Sequence, residues 1–297
     1  MADLGVSVLA RLRNKAQQTG RSNQLCMQLF CQEEFLRRLE ASAYAENFVL
    51  KGGLFLYTLT EYDSRVTLDV DFLLQRIPNT PEKLREILSQ IIAADTGNDF
   101  ITFEIRNIQP ISLHKQYPGI HADLIAHIKN TRTPFGIDFG IGDVIVPGAQ
   151  KRPILTQLDG FPPPVVQTYS IETTVAEKLD AILSLMDFSS RMKDYYDICY
   201  LAEHFDFSGS TLHEALQKTF ANRRREFSVP QFAQMLSFAS DEMMQRKWTA
   251  FCKKIHAAEP FSAALKTIDA FLSQPFQAAV QGGEFDLNWS AERQTWS

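Results

Sequence analysis

Cysteine is scarce, with four residues in 297. Cys26, Cys31, Cys199 and Cys252 form no C-x-x-C pair and no His-rich group at zinc-ligand spacing, which excludes a zinc ribbon or a disulfide scaffold. They read as buried reduced thiols, so a cytoplasmic setting is expected. Long apolar runs are also lacking. No stretch of about 18 apolar residues occurs, so no membrane helix is expected. The opening "MADLGVSVLARLRNKAQQ" is broken by Arg11, Arg13 and Lys15 and does not read as a secretory signal. A basic excess is absent as well: 30 Lys and Arg face 35 Asp and Glu, a net charge of −5. That argues against a broad electrostatic grip on nucleic acid and leaves only local patches. Internal repeats and low-complexity segments are missing.

What is present is an ordinary globular composition, 45% hydrophobic and 22% charged, with 22 phenylalanines for the core. The length suits one large domain or two smaller ones. Apolar periodicity predicts helices over 4–16 and 23–45. "FVLKGG" reads as a short strand stopped by glycines, and "GLFLYTLTEY" as a helix opening from them. In "TLDVDFLL", Leu68, Val70 and Phe72 alternate with Asp69, Asp71 and Leu73, a strand pattern. "PNTPEKLREILSQII" is a helix with Thr80 as its cap and Pro81 at its first position. Three strand-like runs follow, up to about residue 146.

A Pro- and Gly-rich stretch then marks the clearest composition break. Beyond it everything reads as helix: 171–187, 191–204, 209–224, 230–256 and 261–273. The expected organisation is a helical lead-in (1–47), a mixed α/β domain (48–150), a linker (151–170), a helical domain (171–275) and a mobile polar tail (276–297). The expected fold class is α+β, a mixed sheet followed by a mostly helical half.

The chemistry concentrates in residues 52–74. Asp69 and Asp71 are two positions apart in a strand-like run, so they face one side about 7 Å apart. Two like charges so close repel, and each is costly to desolvate alone. A divalent cation resolves both problems, since Mg²⁺ (or Mn²⁺) takes hard oxygen ligands, one or two carboxylates plus substrate phosphates. Asp138, between Ile137 and Phe139, offers a third carboxylate inside an apolar run; an edge position or a solvated face is the alternative. Asp143 reads as a turn residue. Gly52 and Gly53, between a strand and a helix, are either a tight turn or a place where a phosphate approaches backbone N–H groups. Arg65 either contacts a phosphate or pairs with Asp63. Lys178, near the apolar side of its helix, either snorkels to solvent or reaches a phosphate. Asp194 and Asp197 lie on one helix face and can pair with Arg191, Lys193 or Lys178.

The stretch "FVLKGGLFLYTLTEYDSRVTLDVDFLL" resembles the N-terminal signature of the AbiEii-type nucleotidyltransferases. These are toxins of bacterial abortive-infection and toxin–antitoxin systems, within the DNA polymerase β-like superfamily. Gly52, Gly53, Asp69, Asp71 and Asp138 match its pattern of a glycine pair, D-x-D and a distant carboxylate, with Gly53 where Ser is frequent. "AEKLDA" and "RMKDYYD" resemble the family's second signature through Lys178, Arg191, Lys193, Asp194 and Asp197. The resemblance implies transfer of a nucleotide from a nucleoside triphosphate to an acceptor hydroxyl. Gly52, Gly53, Arg65 and Lys178 would bind the nucleotide, Asp69, Asp71 and Asp138 the metal, and Asp69, Asp71, Lys178 and Asp194 would serve catalysis. It further implies an acceptor such as RNA, with tRNA 3′ ends used by some members, and a cognate antitoxin encoded nearby. A phosphate track would need the local basic clusters: Arg11, Arg13 and Lys15; Arg37 and Arg38; Arg223, Arg224 and Arg225; Arg246, Lys247, Lys253 and Lys254. Each is otherwise a solvated helix face. Transfer to a protein or small molecule, and an inactive scaffold acting as a binding module, are the alternatives.

Overall fold

A computed structural model describes residues 3–67, 69–111, 119–188 and 190–297. The chain divides into two compact units, Met1–Gly142 with Ala149–Tyr169, and Asp143–Gly148 with Ser170–Ser297.

The first unit opens with α1 (Leu4–Thr19) and α2 (Asn23–Ala41). Each is started by a side chain that accepts an otherwise unpaired N–H: Asp3 from Val6 and Ser22 from Leu25. Then come β1 (Phe48–Lys51), α3 (Gly52–Leu59), β2 (Val70–Leu74), α4 (Pro81–Ile92), β3 (Ile101–Pro110), β4 (Ile120–Ile128), β5 (Thr131–Gly140), β6 (Gln150–Pro153) and β7 (Val165–Thr168). Thr80 and Pro81 start α4 as the sequence predicts, Thr80 accepting from Lys83. Leu68, one residue of the expected alternation, lies outside the described residues.

All seven strands form one mixed sheet in the order β3-β4-β5-β2-β1-β7-β6. β2 runs parallel to β5 and antiparallel to β1, and β1 runs parallel to β7. Period-two alternation gives the sheet one apolar face. Phe48, Phe72 and Phe139 are fully buried there, ring against ring at 5.5–6.1 Å, and Phe35 of α2 packs on Phe72 and Phe135. Each such ring is a large stabiliser, since truncating one in a packed core costs about 3–5 kcal/mol.

α2 is buried along most of its length, and its charges are satisfied internally. Glu34 receives Arg37 at 3.2 Å, Arg38 at 3.3 Å, Thr96 at 2.5 Å and Asn98 at 2.7 Å. Burial pushes the neighbouring Glu33 carboxyl up to about 7, against the pull of the Gln157 N–H and Arg37. Arg37 and Arg38 are therefore core residues and form no phosphate track.

The stretch 151–170 differs from the linker the sequence suggests. β6 and β7 lie within 150–168 and pair antiparallel, Gln150 opposite Thr168, at one edge of the sheet. Pro153 is compatible because β6 is an edge strand, which needs only half its N–H groups, and the prolines at 162–164 lie ahead of β7 rather than in it.

The second unit holds α5 (Ile171–Leu185), α6 (Met192–His204), β8 (Phe207–Ser208), α7 (Gly209–Asn222), α8 (Val229–Ser237), α9 (Glu242–Ile255), α10 (Phe261–Gln281), β9 (Asn288–Ser290) and β10 (Thr295–Trp296). Ser170, Ser208, Ser228 and Asp241 cap α5, α7, α8 and α9. The cap at Asp241 explains why the expected helix 230–256 is two helices. The residues expected to be a mobile tail instead extend α10 to Gln281 and form a strand pair. Trp289 is buried, its indole N–H donating to Ala202 O at 2.7 Å, and Trp296 stacks on Phe271. One buried and one half-buried indole outweigh the polar composition around them. No helix is long and apolar enough to cross a membrane among the described residues.

Candidate functional site

β1 ends at Lys51, and the chain turns at Gly52 with φ of 68°, a left-handed value that glycine adopts without strain. α3 starts at once, and Lys51 at its cap position makes no side-chain hydrogen bond to the helix. The first amides of a helix have no partner within it and can serve an acceptor from outside. The glycines also admit neighbours. A Cβ on Gly52 would run into the Asp71 carboxylate, and one on Gly53 would stand 2.7 Å from Thr67 Oγ1.

Strand register assembles the rest. Asp71 on β2 is opposite Asp138 on β5, and on its other side opposite Lys51 of β1. Side chains in register on adjacent strands share a face, and adjacent strands are about 4.8 Å apart. β5 is an interior strand, so Asp138 occupies no sheet edge. The row extends to β4, where His121 is opposite Asp138. One line across four strands therefore reads His121, Asp138, Asp71, Lys51. Lys51 Nζ bonds Tyr169 Oη at 3.1 Å and lies over its ring.

Asp69 stands one residue ahead of the β2 ladder and is exposed. Arg65 is half-buried in the connection between α3 and β2.

His121 is the principal residue that sequence reasoning missed. Its Nδ1 is 2.5 Å from Asp138 Oδ1, and its Nε2 is 3.1 Å from Asp123 Oδ1. Burial works against charge on the ring, but the two carboxylates outweigh it and hold the imidazole above its ordinary pKa. The available signal was "IHADLIAHI", where His121 and Asp123 alternate with Ile120, Ala122 and Leu124. Nothing local, however, says that His121 meets Asp138.

Among the described residues, no group of three or more His, Cys, Asp or Glu side chains is arranged to hold a metal ion. The donor set still suits Mg²⁺. Asp71 and Asp138 offer hard carboxylate oxygens in register, and this ion is commonly bound by one or two carboxylates completed by substrate phosphates.

The second unit has its own ionic cluster. Lys178 Nζ lies 2.5 Å from Asp197 Oδ2 and 3.3 Å from Asp194 Oδ1, while Arg191 Nε donates to Asp194 Oδ2 at 2.6 Å. Asp194 is 1% and Lys178 11% exposed at the side chain. Of the sequence alternatives for Lys178, free snorkelling is overturned: two carboxylates hold the ammonium. The Arg223–Arg225 cluster also differs from a phosphate track. Arg223 reaches Asp180 at 2.8 Å, Asp143 at 3.1 Å and Glu177 at 3.3 Å, and those acids hold its pKa high against the effect of burial. Asp143, expected as a turn residue, is an ion-pair partner of Arg223.

Gly52→Ala is expected to damage the site more than the fold. The added methyl would impose strain at positive φ and displace Asp71. Transfer activity is expected to fall on the order of 100-fold, as for a misplaced reacting group, while circular dichroism keeps its native form. Wild-type kinetics in this variant would remove Gly52 from the site.

A glycine turn at a helix start, beside two carboxylates on parallel neighbours of a mixed sheet, is a layout that suits the class of nucleotidyl-transfer enzymes. The sequence agrees. Residues 34–281 match the family described as nucleotidyl transferase AbiEii toxin, type IV TA system, and the chain belongs to that family. It is accordingly a nucleotidyltransferase of a toxin–antitoxin system, which implies a nucleoside triphosphate substrate and an antitoxin partner. Among solved structures, JHP933 from Helicobacter pylori is 13% identical over 88% of this chain and 95% of its own, with a TM-score of 0.49. A candidate nucleotidyltransferase from H. pylori is 14% identical over 88% and 98%, with a TM-score of 0.50. At such identity the second speaks for the fold alone. No curated protein matches the sequence.

Proposed function

We propose that this chain is an Mg²⁺-dependent nucleotidyltransferase that moves a nucleoside monophosphate from a triphosphate to an RNA hydroxyl, the 3′ end of a tRNA in the first instance. The observation that carries this reading is the register that sets Asp71 beside Asp138, with the Asp71 carboxylate packed against Gly52. The α3 amides and Gly52–Gly53 would receive the phosphates, with Arg65 as a further contact. Asp71 and Asp138, joined by Asp69, would hold Mg²⁺, which when bound neutralises charge developing on the phosphates. Asp138 would also accept the proton of the attacking hydroxyl. Lys178, oriented by Asp194, is assigned to the reaction from the second signature. Such catalysis is mostly positioning and electrostatics, which suits a site of fixed carboxylates on a sheet.

A protein or small-molecule acceptor is the second reading. It is favoured by the burial of Arg37 and Arg38 and the engagement of Arg223 by three acids, which leaves less basic surface for RNA. The test is incubation with Mg²⁺, total RNA and each α-labelled nucleoside triphosphate. Label in tRNA-sized RNA that chelation abolishes is the expected result. Label in protein alone supports the second reading, and no transfer to any acceptor overturns both.

A further inference from the structure

His121 lies outside the residues assigned to the reaction, yet three features converge on its ring. Asp138 holds Nδ1 at 2.5 Å, Asp123 holds Nε2 at 3.1 Å, and Gly136 leaves bare backbone beneath it. A Cβ on Gly136 would stand 2.6 Å from His121 Cε1. The register explains the arrangement: His121 and Asp123 on β4 are opposite Asp138 and Gly136 on β5. A half-exposed histidine with one partner keeps much of its rotamer freedom. A ring bonded at both nitrogens and seated on a glycine has given it up, and that ordering is unfavourable unless the bonds offset it.

We infer that His121 is a positioning residue of the nucleotidyl-transfer site, a clamp that Asp123 anchors and Gly136 seats, fixing the Asp138 carboxylate beside Asp71. The inference rests on the reading that Asp138 serves the reaction. A carboxylate left alone rotates broadly about its terminal bond. With Oδ1 held by the imidazole, Oδ2 is the oxygen that remains for a ligand, and its place is set by the sheet. Partners that orient a ligating side chain in this way are worth about 10–100-fold in affinity or activity.

The test uses the full-length protein and two readouts: kinetics of transfer, and Mn²⁺ affinity from electron paramagnetic resonance without turnover. His121→Phe keeps a planar ring and removes both bonds. It is expected to lower kcat and weaken Mn²⁺ binding, each by about 10–100-fold, with KM for the triphosphate unchanged. His121→Asn places an amide nitrogen where Nδ1 was and is expected to recover most of both losses, which a merely structural role would not predict. Gly136→Ala changes no charge and is expected to reproduce the His121→Phe loss by displacing the ring; it carries the test if His121→Phe does not fold. Asp138→Ala is the control. If it is inactive while His121→Phe and Gly136→Ala match wild type in both readouts, the clamp is overturned and the site reading stands. If Asp138→Ala is fully active, the reading of Asp138 falls and the clamp with it.

Discussion

Asp71→Asn is expected to lower nucleotidyl transfer on the order of 10³-fold or more while the protein stays folded. Asp71 is the centre of the sheet row, with Asp138 on one side and Lys51 on the other. The Asn side chain has the same shape, so the close approach to Gly52 is preserved. What disappears is the negative charge and one hard-oxygen ligand. Losing a preorganised electrostatic contact typically costs about 10²–10³-fold, and a metal ligand also sets the geometry of the phosphates it serves. The residue is only half-buried, so its neutralisation is expected to move the unfolding transition by a few tenths to about 1 kcal/mol. Kinetics with labelled triphosphate, beside thermal unfolding followed by circular dichroism, measure both quantities. The exposed Asp69 is the informative comparison: a smaller loss in Asp69→Asn is expected, because no strand ladder fixes it. Full activity in Asp71→Asn would remove the carboxylate pair from the mechanism.

Arg223→Met is expected to act in the opposite way, on stability first. The guanidinium joins Asp180, Asp143 and Glu177, and the Asp180 side chain is only 4% exposed. Methionine matches much of the volume but takes away the cation that joins the three carboxylates, leaving Arg225, 3.7 Å from Asp180, as the more distant guanidinium. Breaking a buried ion pair from one side costs about 3–5 kcal/mol, because the remaining charge is stranded; the partly exposed Arg223, Asp143 and Glu177 put the expected loss at the lower end of that range. The stability lost on substitution should shrink as pH falls, since protonation removes the stranded charge. Chemical denaturation of the variant at pH 8 and pH 5 tests both size and direction. A loss below about 1 kcal/mol at pH 8, the range of an exposed pair, would show that the cluster is solvated rather than structural. The contrast with Arg224→Glu is useful: Arg224 is exposed, so a change in RNA binding there would arise without unfolding. A binding defect in Arg223→Met would follow from instability.

Much was legible in the sequence wherever the controlling physics is local. A hydroxyl three residues ahead of an unpaired N–H favours a helix start, so Thr80 with Pro81 announces α4, and apolar periodicity announces α2 and α5. Alternation marks β4 and β5. The glycine pair, the D-x-D run and the family likeness place Gly52, Gly53, Asp69 and Asp71 on one stretch of chain, and the mixed α+β class follows from the order of these elements.

Where control is not local, only the tertiary structure decides. Strand order and register bring Asp138 beside Asp71 although 67 positions separate them (138 − 71). The same register hands Asp138 to His121, a residue with no motif of its own. Packing buries Arg37 and Arg38, which reach carbonyls of other elements at Pro162 and Ile101, and ion pairing across elements engages the half-buried Arg223, so apparent basic patches become structural groups. Sheet-edge pairing and two packed indoles made strands of a proline-rich stretch and a polar tail, since packing of a few large side chains and paired backbone groups outweighs the average composition of a segment. The sequence by itself determined the elements and the chemistry carried on one strand–turn–helix–strand stretch; packing and register decided which charges became a site and which became structure.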